Sequence, residues 1–445
     1  MTRSRADSIW LLLLGSAAFL AFGFLQSKAG FPLMDFRVVY YSAQCLFHHC
    51  DPYSQSEVLR LYAQHADISS ASPTDLLVLG GNPYLPSEFG FTFLFGHMPF
   101  GPAQLLWFVL IAGGSILGSF AVWDLSSDHA PELAAILLSF CLANSGSVIY
   151  FGNPAGVAVP LCILAVWCFL RERFVNWGIL CLALSLVLKP QDAGLIWLFF
   201  LLSGGTHRRR ALQTLALVVA LSVPATLWIT HVSPHWFQEL RSMEEQFFGH
   251  GGINNPNGAH GTLAITSLQP IFSYFWDNPR IYHFLTLIVC APLLVVWVTV
   301  TLKSRPSREK TYLALASIAV LSLLPVYHRQ YDAKIIILTI PAFAMLWREG
   351  GSTRWMALIV SLQGYLLTAD LAWTIFVGYL VKGRLLQMNE AGNFGPKMTP
   401  VMNFPVPIGL LIMGVFYLWI YTRQAYPRSV LERPSVSSGI IVDGP

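Results

Sequence analysis

Hydrophobic residues in this chain fall into long unbroken runs at roughly 8–25, 104–123, 133–150, 154–171, 211–231, 281–302, 312–326, 334–347, 355–380 and 406–422. Each is long enough to cross a bilayer, or a thinned one, as a helix. A further run, 177–203, is broken by Lys189-Pro190-Gln191-Asp192. Proline and two charges do not sit within a lipid-facing helix, so this run is expected to be a hairpin of two short helices turning at Lys189-Pro190. Clusters at Arg3/Arg5, Arg171/Arg173, Arg208–Arg210, Lys303–Lys310, Arg348/Arg354 and Arg423/Arg428 all share the cytoplasmic side only with that hairpin. The pattern thus predicts an all-α polytopic membrane protein of about twelve transmembrane or re-entrant segments, with both termini cytoplasmic.

In this topology the long polar segments 26–103, 232–280 and 382–405, and the short link Tyr327–Asp332, face outward, whereas cytoplasmic loops are short and basic. Residues 89–100 are apolar but too short to span, which suits an interfacial helix. The stretch from Phe247 to Gly261 is rich in Gly and Asn and reads as a lid over a polar ligand or as a flexible connector. Residues 1–425 form one membrane domain. The tail, 426–445, has no hydrophobic pattern and is expected to be disordered.

A second helical pattern starts at Met34-Asp35. Phe36, Val39, Tyr40, Ala43 and Phe47 share one face, and Arg37, Tyr41, Gln44 and His48 the other. This is a helix lying on the membrane surface with a carboxylate at its amino end. Asp35 there either caps the helix or does chemistry.

Composition agrees with the class: 11% of residues are charged and 55% apolar, against about 25% and 45–50% in soluble domains. The net charge of +4 sits in loops that orient helices and implies no nucleic-acid partner. Of the seven cysteines, five lie in apolar runs as small hydrophobes. Cys45 and Cys50 lie where the helical pattern runs on, and a disulfide between them requires the helix to end in the interval. No zinc-type spacing and no Asp-x-Asp pair occurs, and His48-His49-Cys50-Asp51 places neighbouring side chains about 100° apart on a helix; no metal or other cofactor is implied.

Asp35-Phe36-x-Val38-x-Tyr40-x-x-Ala43 with Asp51-Pro52-Tyr53, then Pro83-Tyr84-Leu85-Pro86, Phe151-Gly152-Asn153, Lys189-Pro190-Gln191 and Leu324-Pro325-x-x-His328 occur in a telling order. In these motifs the chain resembles the integral-membrane GT-C superfamily of lipid-linked-sugar-dependent glycosyltransferases. It looks most like glycosyltransferase family 87, the polyprenyl-phosphate-mannose-dependent α-mannosyltransferases among them. Relatives commonly read Gly-Gln where this chain has Gly152-Asn153, and many carry paired histidines where it has His328-Arg329.

The resemblance implies a GT-C fold that moves a hexose, mannose by analogy, from a polyprenyl monophosphate to a lipid or glycan acceptor. The transfer would take place at the outer face of the cytoplasmic membrane. Asp35 matches the family's first-loop aspartate and would be the general base. A phosphate leaving group demands cations rather than an acid, which points to Lys189, His328, Arg329 and Arg37. Glu88, Tyr84, Asn254, His260 and Gln191 are candidates for holding acceptor and sugar. Plainer readings are a Lys189 that snorkels to the interface, an ordinary outer link for His328 and Arg329, and Glu88 as a cap of the following helix. Two other readings stay open. A transporter would place its polar residues at mid-membrane on paired broken helices. A lipid-linked oligosaccharide ligase would carry an Arg-rich outer loop, whereas 232–280 holds only Arg241 and Arg280.

Overall fold

The structure, a computed structural model, describes residues 3–26, 33–65, 73–249, 252–256, 265–304, 307–371, 375 and 404–425. The segment 382–403, His260 and the tail 426–445 lie outside the described residues.

The described chain is helical, in the order α1 (Arg3–Gln26), α2 (Met34–Phe47), α3 (Gln55–His65), α4 (Pro73–Gly80), a 3-10 turn (Pro86–Glu88), α5 (Phe89–Gly96), α6 (Phe100–Ser126), α7 (Pro131–Ala143), α8 (Gly146–Phe151) and α9 (Ala155–Arg171). There follow α10 (Val175–Leu188), α11 (Pro190–Leu202), α12 (Gly205–Val232), α13 (Trp236–Phe248), α14 (Gln269–Ser273), α15 (Pro279–Lys303), α16 (Arg308–Leu321), a 3-10 helix (Asp332–Thr339), α17 (Ile340–Glu349), α18 (Gly351–Leu367) and α19 (Pro405–Ala425). Among the described residues, six helical spans are long and apolar enough to cross a membrane: α1, α6, α7 with α8, α12, α15 and α19. Leu105, Val109, Leu227, Phe284, Val295 and Ile359 are exposed on the bundle's flanks. Such surface is stable against lipid, not water.

The run 177–203 folds as the expected hairpin. Lys189 leaves helical geometry at φ −152°, ψ 81°, and Pro190 takes the first position of α11, where its missing N–H costs nothing. The arms of 14 and 13 residues rise only about 20 Å each, less than a full hydrocarbon core. Arg171, Arg210, Arg308 and Arg348 gather at the opposite end of the bundle, around Asp124, Asp128 and Glu172. The 17 residues of α9 put about 25 Å between that cluster and Asn153.

The surface helix α2 differs in part from its sequence reading. Tyr41, placed on the polar face, is buried, and Phe47 is exposed, because α3 and Phe100 cover the Tyr41 side and the helix ends at Phe47. The same ending allows Cys50 N–H to reach the Cys45 carbonyl at 2.9 Å, with the two Cα atoms 4.9 Å apart and the sulfurs bonded. The helical pattern read on through this point disfavoured such a bond, and the turn through His49 at φ 58° supplies it.

Close backbone approaches seat α2. Gly96 lets α5 meet the Ala43 backbone, which a Cβ would touch at 2.7 Å. Phe36 stacks on Trp107 with ring centroids 5.1 Å apart, and Phe95 meets the same indole edge-on. Trp107 Nε1 in turn donates to the Gly152 carbonyl at 2.8 Å. Gly152 ends α8 at φ +63°, and a Cβ there would lie 2.7 Å from Leu33 Cδ2 and 3.0 Å from Phe36 Cβ. That glycine therefore sets how closely the α8–α9 junction approaches the start of α2. Gly152→Ala should cost about 1–2 kcal/mol for the left-handed backbone alone, plus the clash. Gly118→Ala, where the nearest atom is 3.5 Å away, should leave stability unchanged or slightly raised; thermal unfolding in detergent checks the pair.

Candidate active site

The junction just described carries Asn153 toward Asp35. Asn153 Nδ2 donates to Asp35 Oδ2 at 2.7 Å and to the Tyr84 hydroxyl at 3.1 Å. Its Oδ1 accepts from Ala155 N–H at 2.9 Å and from Lys189 Nζ at 3.2 Å. Asp35 does not cap α2, whose N-cap is Leu33 in left-handed geometry with no side-chain bond. The Leu33 N–H bonds the Tyr150 carbonyl at 2.6 Å, tying this strained residue to the same junction. A non-glycine residue so held marks a position the surroundings over-determine.

Asp35 lines a cavity of about 190 Å³ with Tyr84, Asn153, Asn254, Arg329 and Tyr331. Burial raises the Asp35 carboxyl above its ordinary value; the Asn153 hydrogen bond and the charges of Arg329 and Lys189 pull it back. Arg329 is the cation of the cavity wall. Its Nη2 donates to Asn254 Oδ1 at 2.7 Å and its Nε to the Tyr327 hydroxyl, which itself donates to Asn254 Oδ1 at 2.8 Å. The backbone here is pinned twice: Ile265 pairs with Arg329 as an isolated bridge, and Thr266 N–H bonds the His328 carbonyl at 2.9 Å.

Two expected phosphate ligands, Lys189 and His328, do not line this cavity. Lys189 is buried; its ammonium bonds Asp332 Oδ1 and lies 4.0 Å from Asp192 Oδ2. His328 is wholly buried, with Nε2 3.3 Å from Asp192 Oδ1 and Nδ1 3.0 Å from the Val326 carbonyl. A carbonyl can only accept, so Nδ1 carries the hydrogen there, and Nε2 faces the Asp192 carboxylate. Removing a charge from water is costly enough that these groups pair with one another. Arg37 donates to the Tyr62 hydroxyl at 2.8 Å and lies over the Phe100 ring, outside the cavity wall. Of the sugar and acceptor candidates, Tyr84 and Asn254 line the cavity. Gln191 is exposed on α11. Glu88 is buried outside the wall, and its burial pushes the carboxyl well above the ordinary range.

Sequence reasoning passed over Asn153, Asp192 and Tyr331 as site residues. Asn153 stood in view only as part of a motif. The Asn-Pro step before α9 was its local signal, since Asn here turns its side chain onto the backbone N–H two residues on.

A family model for glycosyltransferase family 87 matches residues 84–326, more than half of the 445 residues. The chain belongs to glycosyltransferase family 87. Comparison with curated proteins and with solved structures gives no match. This family 87 member is thus a membrane glycosyltransferase, with lipid or sugar substrates and the bilayer as its surroundings. The matched range takes in Tyr84, Asn153, Lys189 and Asn254, while Asp35 and Arg329 fall outside it.

Because the ammonium and Asp332 are buried together, Lys189→Met in this glycosyltransferase should cost about 3–5 kcal/mol, the penalty of a buried partner left alone. Adding Asp332→Asn should recover part of that loss, as read from thermal midpoints in detergent.

Proposed function

We propose that this glycosyltransferase moves a hexose, with mannose the first to test, from a polyprenyl monophosphate to a lipid or glycan hydroxyl, with Asp35 as general base. The observation that carries the reading is one carboxylate and one guanidinium, Asp35 and Arg329, on the wall of the same cavity. In the step proposed, Asp35 takes the proton of the acceptor hydroxyl as its oxygen bonds the anomeric carbon from the face opposite the phosphate. The sugar–phosphate C–O bond breaks, its electron pair leaves with the polyprenyl phosphate, and Arg329 stabilises the charge gathering on the phosphate oxygens. The sugar inverts at the anomeric carbon, and no general acid is needed because phosphate leaves as a weak base. Tyr84 and Asn254 are placed to orient the sugar or the acceptor.

The reaction side is proposed to be the outer face of the cytoplasmic membrane, with both termini inside. Two features support that orientation. The arginine cluster occupies the far end of α9, where the positive-inside rule puts the cytoplasm. The Cys45–Cys50 disulfide lies on the cavity side of the bundle, following α2, and disulfides persist in oxidising compartments.

Membranes carrying the protein should transfer radiolabelled mannose from polyprenyl-phosphate mannose to extracted lipid or glycan. Asp35→Asn should lower transfer about 10²–10⁴-fold, the usual range for a lost acid–base group. Wild-type-like transfer by that variant at equal expression sinks the base assignment. The base works as the carboxylate, and burial raises its pKa. Transfer should therefore fall as pH drops through a value above the ordinary Asp range, and a pH–rate profile locates that limb. Arg329→Met should weaken donor use much more than acceptor use; kinetics with each substrate varied in turn separates the two, and an unchanged response to donor would remove Arg329 from the phosphate.

A further inference from the structure

The side-chain amide of Asn153 has all four of its hydrogen-bonding positions engaged. Its carbonyl oxygen faces two groups that can only donate, the Ala155 N–H and the Lys189 ammonium. Its NH₂ faces a carboxylate oxygen and the Tyr84 hydroxyl. Turned by 180°, the amide would set oxygen against the Asp35 carboxylate and N–H groups against the ammonium and the Ala155 N–H. Only one orientation is electrostatically tolerable. Lys189 is itself held by Asp332 and Asp192, and Asp192 by His328.

Resting on the reading of Asp35 as base, we propose that Asn153 is its positioning residue and that Lys189 acts through Asn153 as the lock on the amide rather than as a ligand of the phosphate. The amide fixes Asp35 Oδ2 and leaves Oδ1, which has no hydrogen-bond partner among the described residues, as the oxygen that receives the acceptor's proton. A neutral donor at this place also keeps the carboxylate ionised without an ion pair that would blunt it as a base. The titratable and charged groups facing Asp35 are Tyr84, Lys189 from the hairpin turn, and Arg329 and Tyr331 from the link before the 3-10 helix. Asn153 is the neutral group among them that bonds it.

Asn153→Asp separates this role from a merely structural one. Aspartate is nearly isosteric, can bond the Ala155 N–H as the asparagine does, and gains from the adjacent ammonium. A structural role is therefore preserved. Toward Asp35, however, a donor becomes a second carboxylate, which ionises first because Lys189 holds it. The acidic limb of the pH–transfer profile should then move up by at least about one pH unit, with transfer reduced at the wild-type optimum and regained at higher pH. Asn153→Ala removes the amide donor, leaves Lys189 paired with Asp332 and Asp192, and should move the limb in the same direction, whether or not Asn153→Asp folds. An unmoved limb in either folded variant, or a loss in Asn153→Asp that persists at every pH, overturns the proposal. Asp35→Asn is measured alongside. If it retains transfer, the base reading fails and the positioning role falls with it. If it is inactive while the limb stays put in the other variants, only the positioning role fails.

Discussion

Lys189 is a cation at the turn of a short hairpin in a bundle built for a hydrocarbon surround, and the site depends on how its charge is satisfied. A buried ammonium must be paired, and the chain brings Asp332 from a segment 143 residues away to do so. That pairing draws the start of the 3-10 helix onto the α10–α11 turn. Asp332 also accepts the Arg329 N–H at 2.6 Å, so the same carboxylate that neutralises Lys189 orders the backbone of the residue whose guanidinium reaches the cavity. On its other side Lys189 meets Asn153, and through it the start of α2. One ion pair thus joins three regions that are distant in the chain.

Lys189, His328 and Arg329 stand against Asp35, Asp192 and Asp332. Their roles divide by accessibility. The inner members lie against one another, Lys189 against Asp332 and Asp192 and His328 against Asp192, and the outer two, Asp35 and Arg329, keep a face on the cavity. The proposed transfer from a phospho-sugar would draw on this separation, because a cation already shared between two carboxylates has little left to give a leaving phosphate. A second buried pair, Lys334 with Asp370 at 2.8 Å, repeats the device nearby, where the ammonium also bonds the Asn144 and Thr368 carbonyls. It ties the 3-10 helix to the α7–α8 break and the end of α18.

Much of the architecture was legible as pattern. Apolar runs separated by basic clusters specify membrane helices directly, since length and hydrophobicity are local properties, and the Lys189-Pro190 break was visible because proline and charge are incompatible with a lipid-facing helix. Asp35 as the candidate base came from a motif and not from periodicity. The side chains that surround it were less accessible. Lys189, His328, Arg329 and Arg37 look alike as exterior cations in a linear reading, yet two lie against buried carboxylates, one packs on the Tyr62 and Phe100 rings, and one lines the cavity.

The sequence by itself determined that the chain is a helical membrane protein, where its hairpin turns, and that its unusual polar residues gather in segments assigned to one side. Hydrophobic run length and charge placement carry that information without reference to any fold. Only the tertiary structure decided which polar group meets which. It turned Lys189 inward to Asp332, set Asn153 against Asp35, and ended α2 early enough for Cys45 to bond Cys50. The reason is that burial makes the cost of a charge depend on partners, and partners 100 or more residues apart in the chain are chosen by packing, as the left-handed Gly152 pressed against Leu33 and Phe36 shows.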